Sequence, residues 1–181
     1  CLPLFSSTTA ADPVLRPPSV PLVACDPYFS IWSPGDKLTD VETTHWTGKP
    51  HRLRSTVRID GRDYRVMGQG APGEQVMVQK SLMVLPTRTI YSFEGAGVSL
   101  TLTFMTPALP DDMDMLSRPL TYVTYDFRST DGKTHDVSLG FEAFAEIAVN
   151  TANQEVVFSN PKLDPSLRGV RVGSVEQPIL L

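Results

Sequence analysis

The chain has almost no cysteine. Cys1 and Cys25 are the only two in 181 residues, which excludes a disulfide scaffold on count. A bridge between them would have to tie down a chain terminus, where order is scarce. Cys25 therefore reads as a small buried hydrophobe at a strand end. Positive charge is not in excess either. A formal net charge of −4 with mixed signs argues against a nucleic-acid partner, which needs a basic face. No apolar run approaches the ~18 residues of a membrane-spanning helix. Long amphipathic helices are missing as well; the nearest candidate is one turn at Asp111–Ser117, just before Pro119. Familiar catalytic signatures are absent: there is no G-x-S-x-G elbow, no P-loop and no Rossmann glycine pattern.

What the chain does have is strand periodicity. Val98, Leu100, Leu102 and Phe104 alternate with Ser99, Thr101 and Thr103, and Val123, Tyr125 and Phe127 alternate with Thr124 and Asp126. Period two means one buried face and one wet face. Val76, Val78, Leu82 and Val84 share one parity, with Lys80 interrupting. From Val137 to Val149 every odd position is apolar, which predicts one strand of thirteen residues. That is long against the usual 5–6 or so, so a bend or bulge is expected midway, near Gly140. Asp60-Gly61 between Val57/Ile59 and Tyr64/Val66 is a strong hairpin signal, because both residues tolerate positive φ. Asp131-Gly132 sits likewise between two β runs, and Glu94–Gly97 joins two more. The 16 prolines fall near the N-terminus and at segment ends, as in a loop-rich β protein. The expected fold is all-β with little helix: about ten antiparallel strands in a large, supersandwich-like β-sandwich. It would occupy residues 15–181 as a single domain.

Residues 1–14 stand apart from this pattern. A short apolar start and the small residues up to Ala10 and Ala11 fit three readings: the remnant of a secretory signal, a lipoprotein start with an acylated Cys1, or a plain disordered linker. The first two imply export, to the periplasm, the cell surface or the medium, and export is the expectation taken here. At the other end, Ile179-Leu180-Leu181 is too apolar for an exposed finish. The chain is expected to be the first part of a longer polypeptide, cut near the start of another strand or connection.

The most unusual segment is the polar, turn-rich stretch from Asp26 to Gly68. It holds both tryptophans, Trp32 and Trp46, and two of the three histidines, His45 and His51. The histidines lack metal-ligand spacing, and a loop hydrogen bond is the simpler role for each. Trp46 can stack on a sugar or bury its ring between loop and sheet while its N–H finds a carbonyl, and burial is favoured. Asp111, Asp112 and Asp114 are weak candidates for a hard cation. The glycine and distal Glu of an EF-hand are missing, and N-capping explains these acids at least as well. Glu142 and Glu146, read on one strand, would lie ~13 Å apart, beyond the roughly 5–9.5 Å of a glycosidase pair. No cofactor is indicated.

The runs LRPPSVPLVACDPYFSIWSPGDKLTD, HWTGKPHRL and VRIDGRDYRVMG, then LPDDMDMLSRPLTYVTYDFRSTDGKTHDVSLGFEAFAEIAVN, resemble the glutaminase A family of exported fungal and bacterial proteins. The likeness extends from about Leu15 to Gln177. It implies an N-terminal β-sandwich region followed, in a longer protein, by a helical barrel of the (α/α)6 kind. The implied activity is hydrolysis of L-glutamine to L-glutamate and ammonia. In such architectures the catalytic carboxylates project from the barrel, so no catalytic residue is assigned to this chain. The resemblance implies instead that sandwich loops wall the substrate cleft or the domain interface. The Thr43–His51 loop is the first candidate, with His45, Trp46 and His51 and nearby Trp32. The Asp111–Arg118 segment, with Arg118, is the second. The expected partners are the helical barrel of the same polypeptide and a small substrate, glutamine or a sugar.

Two other readings compete. One is a carbohydrate- or cell-surface-binding module with Trp46 and Trp32 as stacking platforms. The other is a free-standing hydrolase using Asp111, Asp112 or His45.

Overall fold

The computed structural model describes residues 16–176. The N-terminal signal or linker reading, the Cys1–Cys25 pairing and the apolar end at 179–181 lie outside those residues. Eleven strands are formed among them: β1 (Val20–Ala24), β2 (Ser30–Ser33), β3 (Leu53–Ile59), β4 (Arg62–Met67), β5 (Val78–Leu85), β6 (Arg88–Gly95), β7 (Val98–Met105), β8 (Tyr122–Ser129), β9 (Val137–Ala143), β10 (Val156–Ser159) and β11 (Arg171–Ser174). One short helix, α1 (Met113–Leu116), and a 3-10 turn at Ala145–Ala148 complete the list. Every strand pair is antiparallel. The fold is all-β, as the periodicity predicts.

The strands form a four-stranded sheet ordered β5-β6-β7-β8, a three-stranded sheet ordered β4-β3-β9, and the two ribbons β1-β2 and β10-β11. The two larger sheets face each other as in a sandwich. Val57 and Ile59 on β3, Val66 and Met67 on β4, Tyr91 and Phe93 on β6, and Leu100, Leu102 and Phe104 on β7 share one buried core. Tyr125 on β8 reaches across it, its hydroxyl 2.9 Å from Ser55 Oγ on β3. Ribbon β1-β2 adds Val20, Leu22 and Ile31 to the same core, and Thr89 on β6 donates to the Pro21 carbonyl at 2.6 Å.

Three hairpins follow from turn chemistry. Asp60 (φ 49°) and Gly61 (φ 80°) close β3-β4, and Ala96 (φ 50°) and Gly97 (φ 75°) close β6-β7. Paired positive φ values are what a two-residue hairpin with right-twisted strands requires. The third, Pro86-Thr87 between β5 and β6, places Thr87 at φ 65°.

Four local expectations are corrected. Asp131-Gly132 does not close a hairpin: β8 pairs with β7 and β9 with β3, so the segment crosses between sheets. The strand expected over Val137–Val149 ends at Ala143, and its register with β3 runs unbroken through Gly140. Phe144 leads into the 3-10 turn because Glu146 is captured by Arg52, so Glu142 and Glu146 do not share a strand. Val76 and Val78 do not share a face with Leu82 and Val84. A bulge between Gln79 and Ser81 flips the parity at Lys80, and Met77 takes the core position while Val76 and Val78 face out. Cys25 is half-buried rather than buried, with its thiol 3.5 Å from Thr121 Oγ1.

The crossover is clasped to the first hairpin. His135, whose side chain is only 9% exposed, sits between two carboxylates. Its Nδ1 lies 2.7 Å from Asp60 Oδ2 and its Nε2 2.9 Å from Asp131 Oδ1. An imidazolium can donate through both nitrogens. The bonds to Asp60 and then Asp131 hold the His135 pKa above 6.5. In turn Asp131 is pulled from 3.8 down to about 2. Because the folded His pKa is raised, its stabilising effect is full below 6.5 and fades as pH rises through the raised value. The carboxylates contribute above 3.8 and lose their effect as pH falls towards their lowered values. Thermal stability should therefore peak between about pH 4 and 6 and decline on the alkaline side. His135→Gln should flatten that alkaline decline, and a profile identical to the parent would overturn the assignment.

Candidate functional site

The loop His45-Trp46-Thr47-Gly48-Lys49 is a tight turn. The Gly48 N–H donates to the His45 carbonyl at 2.9 Å and the His45 N–H to the Lys49 carbonyl at 2.8 Å. Gly48 has φ 85°, the left-handed residue such a turn needs. The stem is stitched by Thr43, which is fully buried. Its hydroxyl donates to the His51 carbonyl at 2.7 Å and accepts from the Leu53 N–H at 2.8 Å. Thr44 pairs with Trp32 on β2 through two backbone bonds of 2.7 and 2.9 Å.

One carbonyl anchors the tip. The Pro27 oxygen accepts from His45 Nε2 and from Trp46 Nε1, both at 2.8 Å. A carbonyl only accepts, so His45 carries its proton on Nε2. Its Nδ1 then accepts from the Thr47 hydroxyl at 2.7 Å. Sequence reasoning favoured burial of Trp46, and the structure reverses that. The indole N–H finds a carbonyl as expected, but the ring stays 61% exposed. The turn places Trp46 at its tip, where no sheet lies over it. Tyr28, 81% exposed, stands beside the same cleft.

The opposite wall comes from far along the chain. Glu146 binds Arg52 in a fork, with Nε to Oε1 and Nη2 to Oε2 both 2.7 Å, and accepts the Arg52 backbone N–H at 2.9 Å. The guanidinium also lies 4.5 Å above the Phe144 ring. This clamp sets the 3-10 turn, with Ile147 and Asn150 behind it, against the loop. Strand β11 closes a third side with Arg171–Ser174. Together they enclose an open cleft of about 790 Å³. Its polar groups include Lys49, Asn150, Gln154 and Arg171.

His51 lines this cleft 5.0 Å from the His45 ring, centroid to centroid. Burial, then the neighbouring His45, lowers its pKa below 6.5, so it is neutral at pH 7. Its Nδ1 is buried without a hydrogen-bond partner. Glu146 is held below 4.5, first by the hydrogen bonds from Arg52.

His45, Trp46 and His51 are thus brought together as the sequence suggested. Trp32 is not on the cleft; it is half-buried, its Nε1 donating to Ser30 Oγ at 2.6 Å. Arg118 lines a separate, smaller groove beside Leu116, Pro107 and Cys25. The Asp112 carboxylate caps α1, accepting the Met115 N–H at 2.9 Å. Asp114 sits in that helix's first turn, with Asp111 just ahead of it. Among the described residues no group of three His, Cys, Asp or Glu side chains is placed to hold a metal. Tyr28 and the Arg52–Glu146 clamp were missed by sequence reasoning. Period-two alternation concealed Glu146 inside an apparent strand.

Comparison with known proteins bears on this geometry. A family model described as a domain of unknown function, DUF5127, matches residues 87–180. The chain belongs to the DUF5127 family. A second domain of unknown function, DUF4964, matches residues 3–78. Glutaminase A of Aspergillus oryzae is 30% identical over 146 residues, covering 76% of this chain and 21% of the relative. The chain is a glutaminase-related region that spans about a fifth of that relative's length. No solved structure matches. The DUF5127 segment and the DUF4964 segment do not fold apart. β9 of the former pairs with β3 of the latter, and the cleft is lined by His45 and His51 from the latter and by Ile147 and Asn150 from the former.

Arg52→Ala should open the cleft wall and cost about 1 kcal/mol, a figure discounted for solvent screening of a partly exposed pair. Because the Glu146 pKa is depressed, the pair's contribution is full above 4.5 and fades as pH falls through the lowered value. The variant should lose that acid-side slope. Unchanged melting curves from pH 7 down to 3 would show the clamp to be idle.

Proposed function

We propose that this chain is the non-catalytic β-sandwich region of an exported glutaminase-type hydrolase. In that reading it packs against a helical barrel of the same polypeptide, of the (α/α)6 kind, and presents the Trp46 cleft to it. The reaction is hydrolysis of L-glutamine to L-glutamate and ammonia, carried out by the barrel.

The observation that carries this reading is that, among the described residues, the histidines of the cleft and the carboxylate beside it are either committed to a partner or buried. Amide hydrolysis needs a nucleophile or activated water, a base with a free proton site, and donors for the oxyanion. Beside the cleft Glu146 is neutralised by Arg52, and the unpartnered Nδ1 of His51 is buried, out of reach of a substrate in the cleft. The Thr47–His45 pair has hydrogen-bond reach, but behind the imidazole stands the neutral Pro27 carbonyl. A carboxylate would stabilise an imidazolium there; a carbonyl does so far less. What remains is a rigid, shaped surface with a large aromatic ring offered outward. That combination suits a docking face. The similarity to Glutaminase A supports the same assignment.

Trp46 and Tyr28, both exposed on one cleft, favour a second reading, sugar binding by stacking. Trp32 drops out of it, being off the cleft.

The isolated chain should release no ammonia from glutamine, while the longer polypeptide should; robust turnover by the isolated chain would sink the proposal. Trp46→Ala should lower the melting temperature of the longer polypeptide by several degrees or more and leave that of the isolated chain nearly unchanged. Glycan-array binding by the isolated chain, lost on Trp46→Ala, would favour the sugar reading instead.

A further inference from the structure

Among the described residues, each of the two larger sheets has one guarded edge and one bare edge. In the four-stranded sheet the guarded edge is β5, with its bulge and the charge of Lys80. In the three-stranded sheet it is β4, where a passing segment takes up the backbone of Arg65. The Arg65 N–H donates to the Gln75 carbonyl at 2.8 Å, and the Met77 N–H to the Arg65 carbonyl at 3.1 Å. Bulges, lysines and covering segments are how natural sheets block unwanted pairing. The opposite edges, β8 and β9, have none of these. Neither strand contains proline or lysine, and neither register is broken.

The hydrogen-bond phase fixes which groups those edges display. The Thr130 N–H donates to the Gly97 carbonyl at 2.8 Å. Counting in twos along the unbroken register, Arg128, Asp126 and Thr124 bond to β7. The backbones of Val123, Tyr125 and Phe127 therefore point to the free edge. On β9, the Asp60 N–H donates to the Asp136 carbonyl at 3.0 Å and the Phe144 N–H to the Arg52 carbonyl at 3.1 Å. By the same count, Val137, Leu139 and Phe141 face the free edge there.

The side chains show that the sandwich is one strand short on this side. Tyr125 touching Ser55 sets β8 over β3, and β9 lies one strand further out. Leu139 and Phe141 pair with Val57 and Ser55 and so face the core side. They nevertheless remain 44% and 42% exposed. No strand of the four-stranded sheet reaches over them.

We propose that a further β-strand of the longer polypeptide pairs with the free edge of β8 and covers Leu139 and Phe141. Its chemistry is set by the vacant position: an extended segment with apolar side chains at alternate residues, bonded through its backbone to Val123, Tyr125 and Phe127. The proposal rests on the reading that this chain is one region of a larger protein. The relative's length leaves ample polypeptide to supply the strand, the chain spanning only 21% of it.

Amide hydrogen exchange on the longer polypeptide tests this. Val123, Tyr125 and Phe127 should be as protected as the central residues of β7, and about 100-fold or more slower than in the isolated chain. Exchange within seconds in the longer polypeptide would overturn the proposal, whether or not the isolated chain folds. So would a dimer of the isolated chain that protects the same amides equally, since a second copy would then be the occupant. The double substitution Leu139→Lys, Phe141→Lys should lower the melting temperature of the longer polypeptide more than that of the isolated chain; equal shifts would count against it. Ammonia release measured on the same preparations separates the two proposals. Activity with unprotected β8 amides sinks the strand alone, and protected amides without activity sink the glutaminase reading alone.

Discussion

The structure depends on β3 being hydrogen-bonded on both sides. On one side it meets β4 through the Asp60-Gly61 turn, a local contact that costs little chain entropy to close. On the other it meets β9, some eighty residues further along the chain, over seven consecutive pairs from Leu53↔Ala143 to Ile59↔Val137. That second pairing joins the segments matched by two separate family models into one core. Val57, fully buried at the middle of β3, is packed from both sheets because of it.

The ends of this pairing are where the polar chemistry collects. At one end, His135 bridges Asp60 of the hairpin turn and Asp131 of the crossover. At the other, Arg52 grips Glu146 immediately after β9 stops. The His135–Asp60 and Arg52–Glu146 contacts are charge-assisted and join residues far apart in sequence, and each sits where the ladder hands over to a loop. The Arg52 clamp also positions the 3-10 turn that becomes one wall of the cleft. Cleft and core thus share one construction: the loop that carries His45 and Trp46 leads directly into β3, and its opposite wall leads directly out of β9. A domain that docks through the cleft would transmit that contact to its central strand.

Much of the fold was legible in the sequence. Alternation in β7 and β8 reported real core faces, and Asp60-Gly61 reported a real hairpin, because these signals are local: side-chain direction and positive φ are decided within a few residues. The same logic misled where a distant partner intervened. Apolar alternation from Val137 to Val149 looked like one strand, but Arg52 captures Glu146 and stops it. Asp131-Gly132 has the composition of a hairpin turn, yet nothing in two residues says whether the strands flanking it will pair with each other or with others. The bulge at Lys80 left only an interruption in the pattern, and its effect, the exchange of Met77 for Val76 and Val78 in the core, was not readable.

By itself the sequence determined the all-β class, the exclusion of long helices, the aromatic loop as the unusual segment and the resemblance to glutaminases. Composition and period decide these, and both are properties of neighbours along the chain. Only the tertiary structure decided that His45, Trp46 and His51 share a cleft while Trp32 and Arg118 do not. It alone showed that the Trp46 ring faces outward and that, among the described residues, β8 and β9 end their sheets on bare edges. Those facts are settled by which strands lie side by side and which carbonyl a side chain reaches. Such long-range choices are made by the packing of the whole core.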